Sequence, residues 1–431
     1  MLKRIALISY HTDPFILLGG DTSGGMNVYV RELTKTISKL GYEIDVFTRF
    51  YNPLIKKNEL LDKNSRIIRI LAGPQKEVRK SKLFDYASLF AKQLFSFSKE
   101  EKTSYDLIIS HYWLSGIIGK KLSEKWIIPL IIRFHTLGKQ KKNVLYNYEF
   151  SENTNRIKTE KKLCEFCDAI IVSSENEKKT IKDEYAIKSK KIHIIPCGVN
   201  PFFFSPKRNA KKILGLKNNI KYFLSVGRID PVKGLDLYMH SLSFLKLINP
   251  ELKFHALHIG GILKKNDKYN NLKNLYPKDF KSTSQKKEVE RILNLSKKLN
   301  VYNNFSFIGA RSHKKLSYWY SAVDLLAIPS RYETFCLVAL EAASCGLPSI
   351  AYNVGGISES IKENHTGILV QAGNTSEYAL VLNNLSSDKI LSEKLGENGK
   401  NYAGIFSWEN IAKAEIKICK TLIAQKEGRI F

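Results

Sequence analysis

The chain has 431 residues, of which 43% are hydrophobic and 26% are charged. This length and composition exclude a disordered, fibrous or small disulfide-rich protein and predict a globular enzyme of two or three domains. Its 69 basic residues against 41 acidic ones give a formal charge of +28, which favours acidic partners such as phosphates, nucleic acid or an anionic membrane surface.

Short β-branched runs alternate with amphipathic stretches over the first 200 residues, the pattern of repeated βαβ units. The first strand is predicted at residues 4–9. A Gly-rich loop at 19–25 then leads into a helix that ends at Gly41. Further buried strands are predicted at residues 43–48, 107–110, 130–134, 169–173 and 192–195. The first half is therefore expected to be a parallel sheet covered by helices.

The same alternation returns after a turn-rich connection at residues 196–206. Its strands are predicted at residues 222–226, 254–259, 305–308, 325–328, 349–351 and 367–370, with a helix at 336–344. A polar segment, 264–287, carries eight lysines and is expected to be a mobile surface loop. The tail, 408–423, is predicted to be an amphipathic helix. The fold class is therefore α/β, with two similarly built domains.

Targeting and redox signals point to the cytoplasm. No run approaches the ~20 apolar residues needed to span a bilayer. The apolar start of the chain is too short for a signal peptide. Six cysteines in so long a chain predict reduced, structural thiols, although Cys164 and Cys167 form one C-x-x-C. We expect a cytoplasmic protein, with peripheral contact to the inner face of the membrane left open.

One glutamate lies just before the helix predicted at 336–344, and a second lies within it. Glu333 follows a buried strand, and Glu341 lies eight residues later, just over two helical turns along the same face. The backbone amides of residues 334–337 would be the free donors of the helix N-terminus, which suit phosphate or sugar oxygens. The carboxylates can accept hydrogen bonds from sugar hydroxyls. The alternative is a helix with an ordinary first-turn glutamate and a surface glutamate.

A basic pair follows the first strand of the second half. Arg228 closes that strand and Lys233 is predicted to begin the next helix, so their cations could neutralise a diphosphate without a metal. The sequence contains no Asp-x-Asp, the usual short carboxylate pair for a divalent cation. We therefore expect no metal site and no cofactor. The alternative is a pair of ordinary surface charges.

The first half contributes candidates at the ends of its own strands. Gly24 and Gly25 join the first strand to a helix and allow a ligand to approach the backbone. Their loop is not G-x-G-x-x-G, so a dinucleotide fingerprint is not indicated. His135 follows the strand at 130–134. A lone histidine in such a place can equally be a packed or surface residue.

Together these motifs resemble the retaining glycosyltransferases of family 4, and the resemblance covers essentially the whole chain. It rests on Glu-x7-Glu, on Gly227-Arg228 with Lys233-Gly234, and on Ser-Gly-Gly-Met-Asn-Val-Tyr-Val at 23–30. It implies a GT-B fold, two Rossmann-like domains facing across a cleft. Residues 1–200 would form the acceptor domain, 201–405 the nucleotide-sugar donor domain, and 406–431 a helix crossing back to the first domain.

The resemblance implies a role for each candidate. Glu341 would hold the ribose hydroxyls of a nucleotide-sugar, and Glu333 its sugar. Arg228 and Lys233 would clamp the diphosphate, and His135 would lie beside the reacting carbon; with Glu333 these three are the expected catalytic residues. Backbone contacts to the donor would come from Gly24, Gly25, Thr334, Phe335, Cys336 and Leu337. The family often has glycine where this chain has Cys336, so a side chain there could crowd the donor.

Within the family, the first half most resembles two branches that act on phosphorylated acceptors. One is the mycothiol-pathway enzyme that adds N-acetylglucosamine to inositol phosphate, and the other is sucrose-phosphate synthase. By similarity, five residues fall where the first branch holds its acceptor: Asn27, Lys80, Tyr112, Thr136 and Arg156. The resemblance therefore implies a UDP-sugar donor and a small phosphorylated polyol or sugar as acceptor, with retention of configuration and no catalytic metal.

Two alternatives remain at this point. A transferase of the same fold could act on a lipid-linked or polysaccharide acceptor, bound to an anionic membrane through its lysines. A nucleic-acid-binding protein could use the charge of +28, but it predicts basic and aromatic residues clustered on one face. The lysines are instead spread along the chain, and we expect no specific nucleic-acid partner.

Overall fold

The computed structural model of the chain describes residues 2–16, 24–144, 154–264 and 275–428. They form two compact units. The first contains the described residues of Met1–Ile16, Gly25–Cys197 and Trp408–Phe431, and the second contains Gly24 and the residues of Gly198–Ser407 that the structure describes. Each unit is a largely parallel sheet with helices, which confirms the predicted α/β class.

The first unit is built on an eight-stranded sheet in the order β3-β4-β2-β1-β5-β6-β7-β8. All neighbours are parallel except β3 and β4, which pair antiparallel. The strand order reverses between β1 and β5, where a parallel sheet opens a crevice at its carboxyl edge. The strands are β1 Arg4–Ile8, β2 Glu43–Arg49, β3 Asn58–Asp62, β4 Ser65–Ile70, β5 Leu107–His111, β6 Leu130–Arg133, β7 Ala169–Val172 and β8 Ile192–Ile194.

Six helices follow these strands: α1 Gly25–Lys39, α2 Leu83–Glu100, α3 Trp113–Trp126, α4 Gly138–Val144, α5 Thr154–Phe166 and α6 Glu175–Glu184. Helix α2 shows why they pack on the sheet. Its buried positions Leu83, Ala87, Phe90 and Leu94 recur every three or four residues and form one apolar face. The strands beneath are apolar on both faces because helices cover both sides of the sheet.

The second unit is a six-stranded parallel sheet in the order β11-β10-β9-β12-β13-β14. Its strand order reverses between β9 and β12. The strands are β9 Lys221–Val226, β10 Phe254–Ile259, β11 Phe305–Phe307, β12 Leu325–Ile328, β13 Ser349–Tyr352 and β14 Gly367–Val370. The helices are α7 Ala210–Ile213, α8 Leu235–Ile248, α9 Thr283–Lys298, α10 His313–Ala322, α11 Leu337–Ser344, α12 Ile357–Ser360, α13 Thr375–Ser387 and α14 Lys389–Ala403.

The last helix, α15 Trp408–Glu427, lies against α1 of the first unit. Trp408, Ile411, Ile416, Cys419 and Ile423 form its buried apolar face. Three to five residues separate successive members of this set, so the amphipathic pattern that predicted the helix is also what packs it.

The structure corrects one prediction and adds two strands. Residues 275–287 are not a mobile loop, because Phe280 is fully buried and α9 already begins at Thr283. Residues 265–274 of that segment lie outside the described part of the chain. The sequence analysis assigned no strand to β3 or β4. In β3 the side chains are exposed or half-buried, and in β4 Arg66 and Arg69 interrupt the apolar run.

Candidate functional site

In the second unit, the turns that follow β9 and β12 bring Lys233 and Glu333 together. The Lys233 ammonium lies 2.6 Å from Glu333 Oε1, which also accepts a hydrogen bond from Ser330 Oγ at 2.7 Å. Burial by itself lowers the pKa of Lys233, but the Glu333 carboxylate outweighs burial and the pKa is raised. Lys233 therefore stays charged, and two residues one hundred positions apart form one ion pair at the strand-order reversal.

Two glycines let these turns pack closely. Gly234 has φ +64°, and a Cβ there would lie 1.9 Å from the carbonyl oxygen of Pro329. Gly355 has φ +57°, and its Cβ would lie 2.0 Å from the carbonyl oxygen of Glu333. Arg331 fastens the same region by donating to both Asp236 carboxylate oxygens, at 2.7 and 2.8 Å. The turn before Glu333 is thus anchored to α8.

Arg228 lies beyond the end of β9 and pairs with Asp230. Its Nη2 is 3.4 Å from Asp230 Oδ2, and 36% of its side chain is exposed. Asp230 also accepts a hydrogen bond from the amide of Val232 at 3.0 Å. The guanidinium is therefore held near the Pro231–Lys233 turn while remaining open to an anionic ligand.

Cys336 occupies the position directly before α11, with φ +79° and ψ 76°. This left-handed conformation favours glycine, since it places the Cβ of an L-residue against its own backbone. The glycine often found here in the family therefore has a conformational reason. The Cys336 side chain is buried. The amides of residues 334–337 come from the turn before α11 and from its first residue.

Glu341 is held by two side chains from α10. His313 Nε2 lies 2.6 Å from Glu341 Oε1, and the Tyr320 hydroxyl donates to Oε2 at 2.9 Å. Only 3% of Glu341 is exposed, so the alternative of a surface glutamate is wrong. Burial, followed by Glu341, raises the pKa of Tyr320 well above its ordinary value, so the hydroxyl stays a donor.

The sequence analysis missed His313 and Tyr320. They lie seven residues apart, two helical turns along one face of α10, and that spacing is the signal that could have found them. Nothing in the sequence links that face to Glu341 on α11.

In the first unit, His135 forms a pair with His111. His111 Nδ1 and His135 Nε2 are 2.9 Å apart. Burial, reinforced by Arg133, lowers the pKa of His111 to about 3, and burial with His111 and Arg133 lowers that of His135. Both rings are therefore neutral near pH 7. His111 Nε2 is buried without a hydrogen-bond partner. We therefore place the His111 proton on Nδ1, which donates to His135 Nε2, because this leaves a lone pair without a partner on Nε2 and not an N–H. His135 then carries its proton on Nδ1.

Tyr112 lies directly after β5, and two cationic side chains lie over its ring. Lys80 Nζ is 4.1 Å from the centre of its ring, and Arg156 Cζ is 4.9 Å from the same point. Arg156 Nη2 also donates to the carbonyl oxygen of Thr136 at 2.6 Å and to its hydroxyl at 3.2 Å. Four of the five predicted acceptor residues therefore form one cationic cluster: Lys80, Tyr112, Thr136 and Arg156.

Arg156 is not a solvated surface charge. It is 2% exposed and pairs with Glu160, with Nε to Oε1 at 2.7 Å. Lys80 begins the short turn Lys80–Lys82. The residue as a whole is exposed, but its ammonium lies over the Tyr112 ring.

The other predictions from the first half of the sequence fall at the start of α1. Asn27 is fully buried, and its side-chain nitrogen donates to Thr12 Oγ1 at 3.0 Å and to the Asp13 carbonyl oxygen at 2.8 Å. It therefore holds the segment that follows β1. Gly24 precedes α1, and Gly25 is its first residue. Residues 17–23 of the Gly-rich loop lie outside the described part of the chain.

Among residues 2–16, 24–144, 154–264 and 275–428, no three His, Cys, Asp or Glu side chains form a group that could hold a metal ion. Within those same ranges, no helix has both the length and the apolar character needed to cross a bilayer.

Comparison with known proteins gives matches in both halves of the chain. Residues 23–202 match the description Glycosyltransferase Family 4, and residues 206–402 match Glycosyl transferases group 1. A D-inositol 3-phosphate glycosyltransferase of Corynebacterium jeikeium (strain K411) is 30% identical over 424 residues, covering 97% of each chain. One from Streptomyces bingchenggensis (strain BCW-1) is 31% identical over 418 residues, covering 96% of this chain and 88% of the relative.

Solved structures resemble the chain over nearly its full length. Sucrose-phosphate synthase from Thermosynechococcus elongatus gives a TM-score of 0.87 at 29% identity, covering 98% of this chain and 100% of that one. Anabaena HepE, solved with UDP and glucose, gives a TM-score of 0.74 at 18% identity, covering 97% and 99%. At that identity the second likeness concerns the fold alone.

Proposed function

The chain belongs to the family 4 glycosyltransferases of the GT-B fold, and from that premise we propose that it transfers a sugar from a nucleotide-sugar to a small phosphorylated polyol or sugar. The cationic cluster of Lys80, Arg156 and Thr136 around Tyr112 carries the proposal for the acceptor. A dianionic phosphate is the ligand that such convergent cations orient best, through charge-assisted hydrogen bonds. The relatives named for D-inositol 3-phosphate and sucrose phosphate support the same chemistry.

The donor would be held by the second unit, and UDP-sugars are the first candidates. Glu341, fixed by His313 and Tyr320, would accept hydrogen bonds from the ribose hydroxyls. Glu333 would contact the sugar, and Lys233 would shift part of its pairing from Glu333 to the diphosphate. HepE, with its bound UDP and glucose, shows that proteins of this fold take such ligands.

The reaction would proceed with retention and without a metal. The bond between the anomeric carbon and the diphosphate oxygen breaks, and the acceptor oxygen bonds to that carbon on the same face. The acceptor proton passes to a donor phosphate oxygen. Arg228 and Lys233 would stabilise the charge that grows on the diphosphate, so catalysis rests on positioning and electrostatics. By the family resemblance, neutral His135 would contact the donor sugar near the reacting carbon.

The test compares each acceptor with its dephosphorylated analogue across a panel of UDP-, GDP- and ADP-sugars. Lys80→Ala should raise KM for the phosphorylated acceptor ~10-fold or more, since a hydrogen bond to a charged group contributes about 1.5–3 kcal/mol. Lys82→Ala is the matched control, because Lys82 is an exposed lysine of the same turn. Equal activity on both forms of the acceptor would exclude a phosphate site.

The same assay in excess EDTA tests the metal-independent mechanism. Transfer should persist, because Arg228 and Lys233 supply the positive charge near the leaving group. Loss of turnover that a divalent ion restores would reject this assignment.

A further inference from the structure

A buried polar network joins the last helix of the chain to the strand that precedes His135. Tyr29 of α1, Arg133 of β6 and Glu415 of α15 are all fully buried. The Tyr29 hydroxyl donates to Glu415 Oε2 at 2.7 Å and accepts from Arg133 Nη1 at 2.7 Å. One hydroxyl thus bridges a carboxylate of the last helix and a guanidinium of β6.

The Tyr29 ring is also packed against the histidine pair. Its centre lies 5.5 Å from that of His135 and 5.8 Å from that of His111, at interplanar angles of 71° and 60°. Trp408, the first residue of α15, packs against the same ring at 5.4 Å. Helix α15 therefore contacts Tyr29 twice, through Trp408 and through Glu415. The Tyr29 ring in turn packs against both histidines of the His111–His135 pair.

Arg133 fixes the backbone from which His135 projects. Its Nη2 donates to Ser173 Oγ at 2.8 Å, and its guanidinium carbon lies 3.9 Å from the Tyr29 ring centre. His135 follows two residues later with φ +63°. In a packed part of the protein, a non-glycine residue keeps such a conformation where surrounding contacts hold it in place. The anchored Arg133 side chain supplies that constraint on one side, and the Tyr29 ring supplies it on the other.

This network contributes less to folding stability than apolar side chains of the same volume would. Arg133 Nε and Glu415 Oε1 are buried without a hydrogen-bond partner, and an unsatisfied buried polar atom lowers stability. Apolar residues of similar volume would pack α15 onto α1 at less cost, because buried charged groups contribute little net stability and are better attested as devices for conformational specificity.

We propose that Glu415 is a positioning residue for His135, acting through Tyr29 and Arg133. The inference rests on the proposed function, in which His135 lies beside the reacting carbon. Removal of the Glu415 charge or of the Tyr29 hydroxyl releases Arg133 and lets the end of β6 relax, so His135 leaves its reactive orientation. Substrate binding in the other contacts is unaffected.

The kinetic test uses Glu415→Gln and Tyr29→Phe. Each should lower kcat at least tenfold and leave both KM values within about twofold. Tyr10→Phe is the matched control, since Tyr10 is equally buried in the same unit and its hydroxyl donates a hydrogen bond outside this network, to the Leu83 carbonyl oxygen at 2.9 Å. If Tyr10→Phe lowers kcat equally, or if folded Glu415→Gln keeps wild-type kcat, the inference is overturned.

The structural test is independent of turnover. In protein labelled with ¹⁵N-histidine, the ring nitrogen signals of His111 and His135 should shift in Glu415→Gln and Tyr29→Phe but not in Tyr10→Phe. Unchanged signals refute the positioning role. Shifted signals in a protein that transfers no sugar from any donor support the positioning role and reject the proposed function. If Tyr29→Phe fails to fold, Glu415→Gln decides alone, since it removes the carboxylate charge beside the Tyr29–Arg133 pair and keeps a side chain of the same size.

Discussion

Replacing Glu341 by alanine should weaken nucleotide binding, and the structure sets the size of the effect. Each carboxylate oxygen accepts one hydrogen bond from the protein, from His313 at 2.6 Å and from Tyr320 at 2.9 Å. An ionised carboxylate has roughly four lone-pair sites, so about one acceptor site per oxygen remains. Two ribose hydroxyls can fill these two sites.

The two protein contacts also fix the direction of the remaining lone pairs. A hydrogen bond to a charged acceptor contributes about 1.5–3 kcal/mol, so the loss of two of them in Glu341→Ala should raise Kd for the free nucleotide at least ~100-fold. Tyr320→Phe leaves the carboxylate in place and removes one of its two orienting contacts. Its effect should be smaller, about three- to tenfold.

Calorimetric titration with UDP and with the UDP-sugar makes the assignment specific. Glu341→Ala should weaken both ligands by the same factor, because both carry the ribose. Glu333→Gln is the control: it should weaken the UDP-sugar but not UDP, since the proposed contact is to the sugar and Lys233 becomes more available to the diphosphate. Wild-type affinity of Glu341→Ala for UDP, or an equal loss for both ligands in Glu333→Gln, would refute these roles.

Two further predictions concern stability. Cys336→Gly should be more stable than Cys336→Ala by about 1 kcal/mol, because only alanine keeps a Cβ at φ +79°; the order of their denaturant midpoints decides. Burial lowers the pKa of His258 to about 3. Between pH 7 and 5 the His258 ring is therefore protonated in the unfolded chain but stays neutral in the folded chain. Stability should fall by about 2 kcal/mol over that interval through His258. His258→Asn should therefore lose less stability in acid than wild type, and equal losses would contradict this.

The sequence sufficed for most of the fold because the central strands are continuous apolar runs. β5, for example, is buried at all five positions, and such runs need no knowledge of their neighbours. β4 could not be found in this way. Its Arg66 and Arg69 lie in the sheet only because Asp45 and Asp13 from other segments neutralise them, at 2.8 Å each.

Residues 275–287 show the opposite error. The lysine-rich composition predicted a loop, but a few apolar residues are enough to fix a segment when a partner surface exists. Phe280 packs where Gly261 leaves room: a Cβ on that glycine would lie 2.6 Å from the Phe280 ring. Lys281 closes the contact by donating its amide to the Ile262 carbonyl oxygen at 2.8 Å. Such long-range pairs are invisible to local composition.

The candidate site likewise has features that the sequence predicts and features that it does not. The positions after strands were visible in the sequence, since strand ends can be predicted. Two of the partnerships were not visible, because strand order sets the contacts of Lys233 with Glu333 and of His111 with His135. Arg156 and Glu160 lie four residues apart on α5, a spacing that the sequence does show. Sequence reasoning therefore found which residues face the carboxyl edges but not how their charges are balanced.

Backbone strain gives an argument for the site that does not depend on family likeness. In the described part of the chain, nine non-glycine residues have positive φ. Six of them are exposed, in turns and at helix ends, where such a conformation costs little packing: Lys102, Ile127, Ala186, Asn209, Asn300 and Asn364. The other three are buried or half-buried, and all three are candidate site residues: Tyr112, His135 and Cys336.

Each of these three conformations costs of order 1 kcal/mol or more, and strain of this kind persists only where other contacts hold it. Those contacts are present: Lys80 and Arg156 on Tyr112, His111 and Tyr29 on His135. Cys336 lies three residues beyond the Lys233–Glu333 ion pair. Among the described residues, positive φ at buried or half-buried non-glycine positions is confined to candidate site residues. That pattern is expected when the fold holds reactive groups in place.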